Sequence, residues 1–252
     1  MRILSIDSSL GTQLAVVDAA TSAAGARALQ VLSQDEQADT RRHAESLGQM
    51  LSQALSAPEA AEHPLDAVVA ATGPAPFTGL RAGLVTAGVV GRTRGIPVHG
   101  VSSLDAVARR ALDELGSHEG QTGPVVLVAT DARRREVYTA LFRANGPDDV
   151  TRLTEIIVCP PAQVAQRLAE QAPGPGGGSG GIDVVAGSGA SLYPELAEMA
   201  SYQKALAPVS GDALAQVRIA LARLERGEEL STQPLYLRHA DVQMPAARKR
   251  VH

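Results

Sequence analysis

The sequence predicts an α/β protein built from one unit used twice, giving two lobes. Three observations carry this. The order strand, strand, strand, helix, strand, helix can be read in both halves of the chain. Each half opens on a hairpin whose first strand ends in an aspartate, Asp7 in one and Asp131 in the other. The strands late in each unit are alike, DAVVAATG from Asp66 and DVVAGSG from Asp183. Chance agreement between two ordinary α/β halves is the alternative, and the sequence leaves it open.

Residues 1–7 alternate and then run apolar, which predicts a strand, and 8–11 carry turn chemistry. Residues 12–18 return as a second strand and 27–33 supply a third. A helix is expected over 41–55, with Asp39 or Thr40 as its cap. Residues 66–72 form a short buried strand, and a second helix begins near 78 and runs to 94. The second unit repeats this with strands at 125–131, 136–142 and 149–158. A helix follows over 160–172, whose prolines suit its first turn, then a strand at 182–186 and a helix over 191–200. The lobe join is expected near 102–111, giving an N-terminal, partner-binding lobe over 1–105 and a C-terminal lobe over 106–239. The Gly-rich stretch 173–181 reads as a surface insert within the second unit. Residues 240–252 are expected to form a flexible basic tail.

Bulk properties exclude several functions. With 44% hydrophobic and 20% charged residues, the chain of 252 residues can bury a core and is no disordered protein. Only 2% of residues are aromatic and the net charge is −4, so neither base stacking nor a basic footprint for nucleic acid is offered. Any RNA would be held by another chain. The one cysteine, Cys159, forbids an internal disulfide and a Cys-based zinc site. The first residues are too short a run for a signal-peptide core, and no apolar run spans a bilayer. A cytoplasmic protein without membrane contact is expected.

Two hairpins with acidic strand ends are the layout of the actin, sugar-kinase and chaperone ATPase superfamily (ASKHA), whose unit is ribonuclease H-like. There the hairpin turns grip phosphates through backbone N–H groups, which favours glycine. Here the first turn, DSSLGT, has only Gly11, and the second, DARRRE, has none. Arg133 and Arg134 would crowd a phosphate cradle, so the nucleotide site reads as degenerate. Asp7, Asp131, Gly187 and Gly189 are its remnant. No GxxxxGK[ST] loop or HExxH helix is present, His43 has no histidine partner one turn on, and no serine sits in a nucleophile elbow. No catalytic and no metal-binding residue is assigned.

The helix over 78–94 is the most informative segment. Gly79, Gly83, Ala87 and Gly91 recur every four residues, and Gly88 adds another glycine. Each glycine costs about 1 kcal/mol against alanine in a helix interior, so close approach of another element must offset it. The preceding helix carries an apolar stripe of Leu47, Met50, Leu51, Ala54 and Leu55. Both helices can pack on their own sheet alone. For the pair together a further helix-on-helix contact with another chain is favoured, through Leu47, Met50, Leu51, Leu55, Gly79, Leu80, Gly83, Leu84 and Ala87. On that reading Gly83→Glu abolishes pairing and leaves the fold intact.

ILSIDSS, RRHAESL, GPAPFTGLRAGL, PVHGVSSLDA, ATDARRREVYTALF and PLYLR occur in this order along the chain. Together they resemble the TsaB family, also called YeaZ, over nearly the whole length. The resemblance implies an inactive relative of TsaD, the enzyme that places threonylcarbamoyl on tRNA adenosine. TsaD carries paired histidines where this chain has His43 alone. The resemblance further implies a heterodimer with TsaD through the first two helices, joined by the ATPase TsaE. Nucleotide (ATP or ADP) and metal would enter through TsaD and TsaE, with none bound by this chain alone, and tRNA only through the complex. The same apolar face is open to a second copy of the chain. The chain departs from the family loop GPGSFTGLR at Ala75 and Pro76, which weakens any phosphate role there. An active ASKHA-type ATPase or kinase using Asp7 and Asp131 is the alternative function. A metallopeptidase-like protein is less favoured, because the ligands are missing.

Overall fold

The computed structural model describes residues 1–21, 27–38, 43–116, 123–171, 181–201, 205–206 and 212–237. Asp39 and Thr40, residues 173–180 of the insert and the basic tail lie outside them.

The first unit holds β1 (Arg2–Asp7), β2 (Thr12–Thr21), β3 (Arg27–Gln37), α1 (His43–Ser56), the short α2 (Pro58–Ala61), β4 (Ala67–Ala71), α3 (Phe77–Arg94) and β5 (Val98–Val101). Its strands lie in the order β3-β2-β1-β4-β5. The β1–β2–β3 meander is antiparallel, while β4 and β5 run parallel to β1. α4 (Ser103–Leu115) leads into β6 (Val126–Asp131), β7 (Val137–Asn145), β8 (Asp149–Arg152) and β9 (Ile157–Cys159). After a 3-10 turn at Pro161–Gln163 come α5 (Val164–Gln171), β10 (Val184–Ala186), α6 (Ser188–Leu192), α7 (Pro194–Ala197), β11 (Ala205–Leu206) and α8 (Ala213–Glu225). The second sheet is ordered β11-β10-β6-β7-β8, with β9 also on β7. Strand for strand it repeats the first, so the fold is the predicted two-lobe, duplicated ASKHA type.

Each sheet is covered on both faces, which is why β1 is buried at every residue and reads as an apolar run. Leu4, Ile6, Leu14, Val16, Val68 and Ala70 pack under α1 and α3. Ile3, Ala15, Val17, Val69 and Val101 form the other face, under Ala213, Val217, Ile219 and Ala220 of α8. In the second sheet Val126, Val128, Ala140 and Phe142 meet Leu104, Val107, Ala108 and Ala111 of α4. Leu127, Ala129, Val137 and Leu141 meet α5, α6 and α7 through Val164, Leu168, Ala190 and Leu196. The two central helices are therefore exchanged. α4 follows the first unit and covers the second, while α8 follows the second and covers the first. An ion network pins this layer. Asp105 of α4, 2% exposed, accepts from Arg152 and Arg223 at 2.9 Å each, and Arg223 Nε donates to the buried Asp149 at 3.0 Å.

Several elements differ from the sequence reading. The strand expected over 149–158 is two strands, because the Thr154 hydroxyl accepts the Leu141 N–H at 3.0 Å and takes a ladder partner's place. The helix expected over 191–200 starts earlier and breaks at Tyr193 (φ −130°, ψ 91°), since Pro194 drives the preceding residue out of helical geometry. The segment expected to join the lobes is helix α4, with β5 before it, and α8 had no counterpart in the sequence reading.

Candidate functional site

The candidate site is the cleft where the two hairpin turns meet the start of α3. Asp7 ends β1 with its carboxylate fully committed. Its Oδ1 accepts the Ser9 N–H at 2.8 Å, and its Oδ2 accepts Gln216 Nε2 of α8 at 2.8 Å. The next residue is inserted into α3. The Ser8 hydroxyl donates to the Gly79 carbonyl at 2.7 Å and accepts the Gly83 N–H at 3.0 Å. α3 starts after Pro76 without any side-chain cap, so the N–H groups of its first turn lack intrahelical acceptors.

The second turn is built without glycine. Arg133, Arg134 and Arg135 all adopt left-handed φ, at 61°, 56° and 60°, which costs on the order of 1 kcal/mol for each non-glycine residue. Asp131 Oδ1 accepts the Arg133 N–H at 2.8 Å, and its Oδ2 pairs with Arg133 Nη1 at 3.2 Å. Opposite, Gly187 (φ 102°) opens α6 hard against β6. A Cβ there would stand 2.4 Å from the Ala129 carbonyl oxygen, and one at Gly189 2.9 Å from the same atom. The Ser188 hydroxyl accepts the Asp131 N–H at 3.0 Å. Close packing accounts for both glycines.

Asp7, Asp131 and the start of α6, the residues expected as a nucleotide-site remnant, do not fit a metal-bound nucleotide. Both oxygens of Asp7 are taken by protein donors, Asp131 is held by Arg133, and the second turn offers side chains where amides must approach. Among the described residues no cluster of three His, Cys, Asp or Glu side chains is placed to hold a metal. A cavity of about 210 Å³ does remain, lined by Ser9, Leu10, Pro76, Phe77, Thr78, Gly79 and Arg133.

The residues expected to form a partner surface lie mostly within their own lobe. Leu47, Met50, Gly79, Leu80, Gly83 and Ala87 are buried in their own lobe, and Leu51, Leu55 and Leu84 are half-buried. The small-residue stripe admits the protein's own sheet. A Cβ at Gly83 would lie 2.2 Å from Ser8 Oγ, and one at Gly91 2.3 Å from Val98 Cγ2. Gly83→Glu would therefore break the lobe, contrary to the expectation of an intact fold. The apolar residues that α3 leaves exposed are Phe77 (52%), Val85 (63%) and Val89 (55%). Their spacing of eight and four residues was legible in the sequence, on the helix face opposite the glycines. The sequence reading also gave Tyr236 no role. The segment after α8 runs back over the first lobe, with Gly100 N–H donating to Leu230 O at 3.2 Å and Leu235 N–H to Thr72 O at 2.8 Å. This sets the Tyr236 ring 5.0 Å from that of Phe77, whose face carries the Arg81 guanidinium at 4.1 Å.

Fold and cleft together define a protein of two-lobed ASKHA-type fold. The profile of one family, TsaD, described as tRNA N6-adenosine threonylcarbamoyltransferase, matches residues 30–175, more than half the chain. The chain belongs to this family. In structure it is similar to YeaZ from Pseudomonas aeruginosa, with a TM-score of 0.67 at 23% identity over 94% of this chain and 99% of that one. A second solved structure from Pseudomonas aeruginosa, of an uncharacterized protein described as having similarity to peptidase YEAZ, gives 0.69 at 24% identity over the same shares. These likenesses show a common fold, the one the resemblance to TsaB implied. An uncharacterized protein of Mycobacterium tuberculosis is 46% identical over 123 residues, which is 47% of this chain and 53% of that protein. The chain thus spans about half the length of the curated relatives it matches. No helix among the described residues is long and apolar enough to cross a membrane.

Proposed function

We propose that this chain is a TsaB-type partner subunit, without catalytic residues of its own, that pairs with the TsaD threonylcarbamoyltransferase and activates it for modification of tRNA adenosine. The observation that carries the reading is the exposed apolar face of α3. Phe77, Val85 and Val89 stand more than half exposed, flanked by the half-buried Leu51, Leu55 and Leu84. Exposed apolar side chains on the outer side of a helix mark a surface that another chain covers. The pairing surface proposed is this outer face and not the glycine stripe beneath it. TsaE joins the pair, nucleotide and metal enter through TsaD and TsaE, and tRNA is touched only through the complex, in the cytoplasm. A second copy of this chain competes for the same face when TsaD is absent.

The test is to purify the chain with the TsaD and TsaE of its own organism and measure assembly by light scattering. A stable heterodimer is expected, together with threonylcarbamoyl transfer by the complex and none by the chain alone. Val85→Asp combined with Val89→Asp should abolish pairing while the isolated variant melts like wild type, since both side chains are exposed. Wild-type pairing by the double variant would overturn the surface. No association of the wild-type chains at micromolar concentration would overturn the function.

A further inference from the structure

The outer face of α3 carries charge as well as apolar side chains, and the charge bears on which chain can cover it. We infer that this face selects an acidic helix, with an apolar middle and a carboxylate near each end, over a second copy of this chain. The inference rests on the pairing surface proposed above. At about 100° per residue, Phe77, Arg81, Val85, Gly88, Val89 and Arg92 fall within about 120° of the helix circumference, and all six are exposed. Around Gly88 an added Cβ meets nothing within 4 Å, so a neighbouring helix can come close at the middle of the face. The two arginines bracket that middle, about 16 Å apart along the axis. The helix contains no acidic residue. Neither guanidinium pairs with a carboxylate among the described residues. Arg81 Nε donates instead to the Tyr236 hydroxyl at 3.2 Å, and its guanidinium lies over the Phe77 ring. This clasp fixes where the Arg81 charge stands and leaves it uncompensated. The helix dipole favours a cation at Arg92, in the last turn, but gives no such reason for Arg81 near the other end.

Two like charges on one face set partner choice by repulsion as much as by attraction. A second copy laying its α3 antiparallel on this one, centred between Val85 and Gly88, brings Arg81 of each chain against Arg92 of the other. A parallel arrangement sets each arginine against its own equivalent. Either way cation faces cation, which weakens self-pairing. A helix with Asp or Glu at both ends of an apolar segment turns the same arrangement into two ion pairs at the rim of a dry centre. The valines thus provide adhesion to any apolar helix, and the arginines decide which helix stays.

The test uses the full chain in two pairings. In the first, wild type is mixed with Arg81→Glu/Arg92→Glu and association is followed by sedimentation velocity. At about 0.05 M salt the mixture should pair at least about tenfold more tightly than either protein alone, and the gain should vanish at about 1 M salt. Adding Val85→Asp/Val89→Asp to either protein should remove it, since the contact lies on this face. In the second, TsaD is the partner. Arg81→Glu/Arg92→Glu should weaken its binding at least about tenfold at low salt, chiefly by slowing association. Arg81→Lys/Arg92→Lys keeps the charge while changing the clasp, and should bind nearly as wild type. Both side chains are exposed, so the variants should melt like wild type; Arg92→Glu alone, which leaves the Tyr236 contact intact, should shift both pairings in the same direction. A mixture no tighter than its parts, or TsaD binding indifferent to charge reversal, would overturn the inference. Failure of wild type to bind TsaD at all would instead sink the partner reading, and the mixture of charge-opposed copies would still decide this one.

Discussion

Two glycines five residues apart on α3 make a sign test of the packing argument. Helix propensity alone says that Gly83→Ala and Gly88→Ala should each stabilise the protein by about 1 kcal/mol. The structure gives them opposite signs. Around Gly88 a new Cβ meets nothing within 4 Å, so the propensity gain is kept and Gly88→Ala stabilises by about 1 kcal/mol. At Gly83 the new Cβ lies 2.2 Å from Ser8 Oγ, 3.1 Å from Ser8 Cβ and 3.4 Å from Ile6 Cγ2. The Ser8 hydroxyl must leave, giving up its bonds to Gly79 O and Gly83 N–H, at about 1 kcal/mol each. Overpacking against β1 adds about 1–3 kcal/mol. Set against the propensity gain, Gly83→Ala should destabilise by about 2–4 kcal/mol. Urea melts of wild type, the two single variants and Ser8→Ala/Gly83→Ala decide it. In the double variant the 2.2 Å clash is gone and the nearest remaining atom is the residue-8 Cβ at 3.1 Å, so the two changes should couple favourably by about 1 kcal/mol or more. A Gly83→Ala protein more stable than wild type, or strict additivity with Ser8→Ala, would refute the reasoning.

Further outcomes follow from the charged and titrating groups. Arg223→Leu leaves the buried Asp105 and Asp149 each short of a partner and should cost about 3 kcal/mol in the same melts, with Arg152 and Arg226 holding what remains. Burial pushes His99 below its usual pKa of 6.5; the unfolded chain then binds the proton more readily, so stability falls as pH drops through 6.5 and below, and His99→Gln should remove that part of the slope. The hydrogen bond from Arg2 holds Asp18 below the usual 3.8; its contribution is present above that value and lost under acid as pH falls through the lowered pKa, so Asp18→Asn should flatten the acid limb of a pH melt. Burial also raises the Cys159 thiol, so a disulfide reagent at neutral pH should react with it only at the rate of unfolding.

Much of this fold is written locally. The apolar run of β1, the turn at 8–11 and the return of β2 follow from alternation and turn residues, and the same signals recur from Val126. That is why the duplicated unit, its acidic strand ends and the family were legible in the sequence. Gly83 and Gly91 of α3 also signalled a close approach correctly, whereas Gly88 meets nothing within 4 Å. What they approach was not legible. Ser8, Ile6 and Val98 fill that space only once α3 is laid on its own sheet, and the outer valines become the exposed face as a consequence. The exchange of α4 and α8 was equally hidden, because amphipathic spacing tells that a helix has an apolar face and not which sheet receives it. Asp7 shows the difference most sharply. Its place at a strand end is fixed by the hairpin around it, but its carboxylate is satisfied by Gln216, 209 residues further along. Whether that aspartate organises a ligand or a core amide is decided by long-range packing of helix on sheet, which no local pattern encodes.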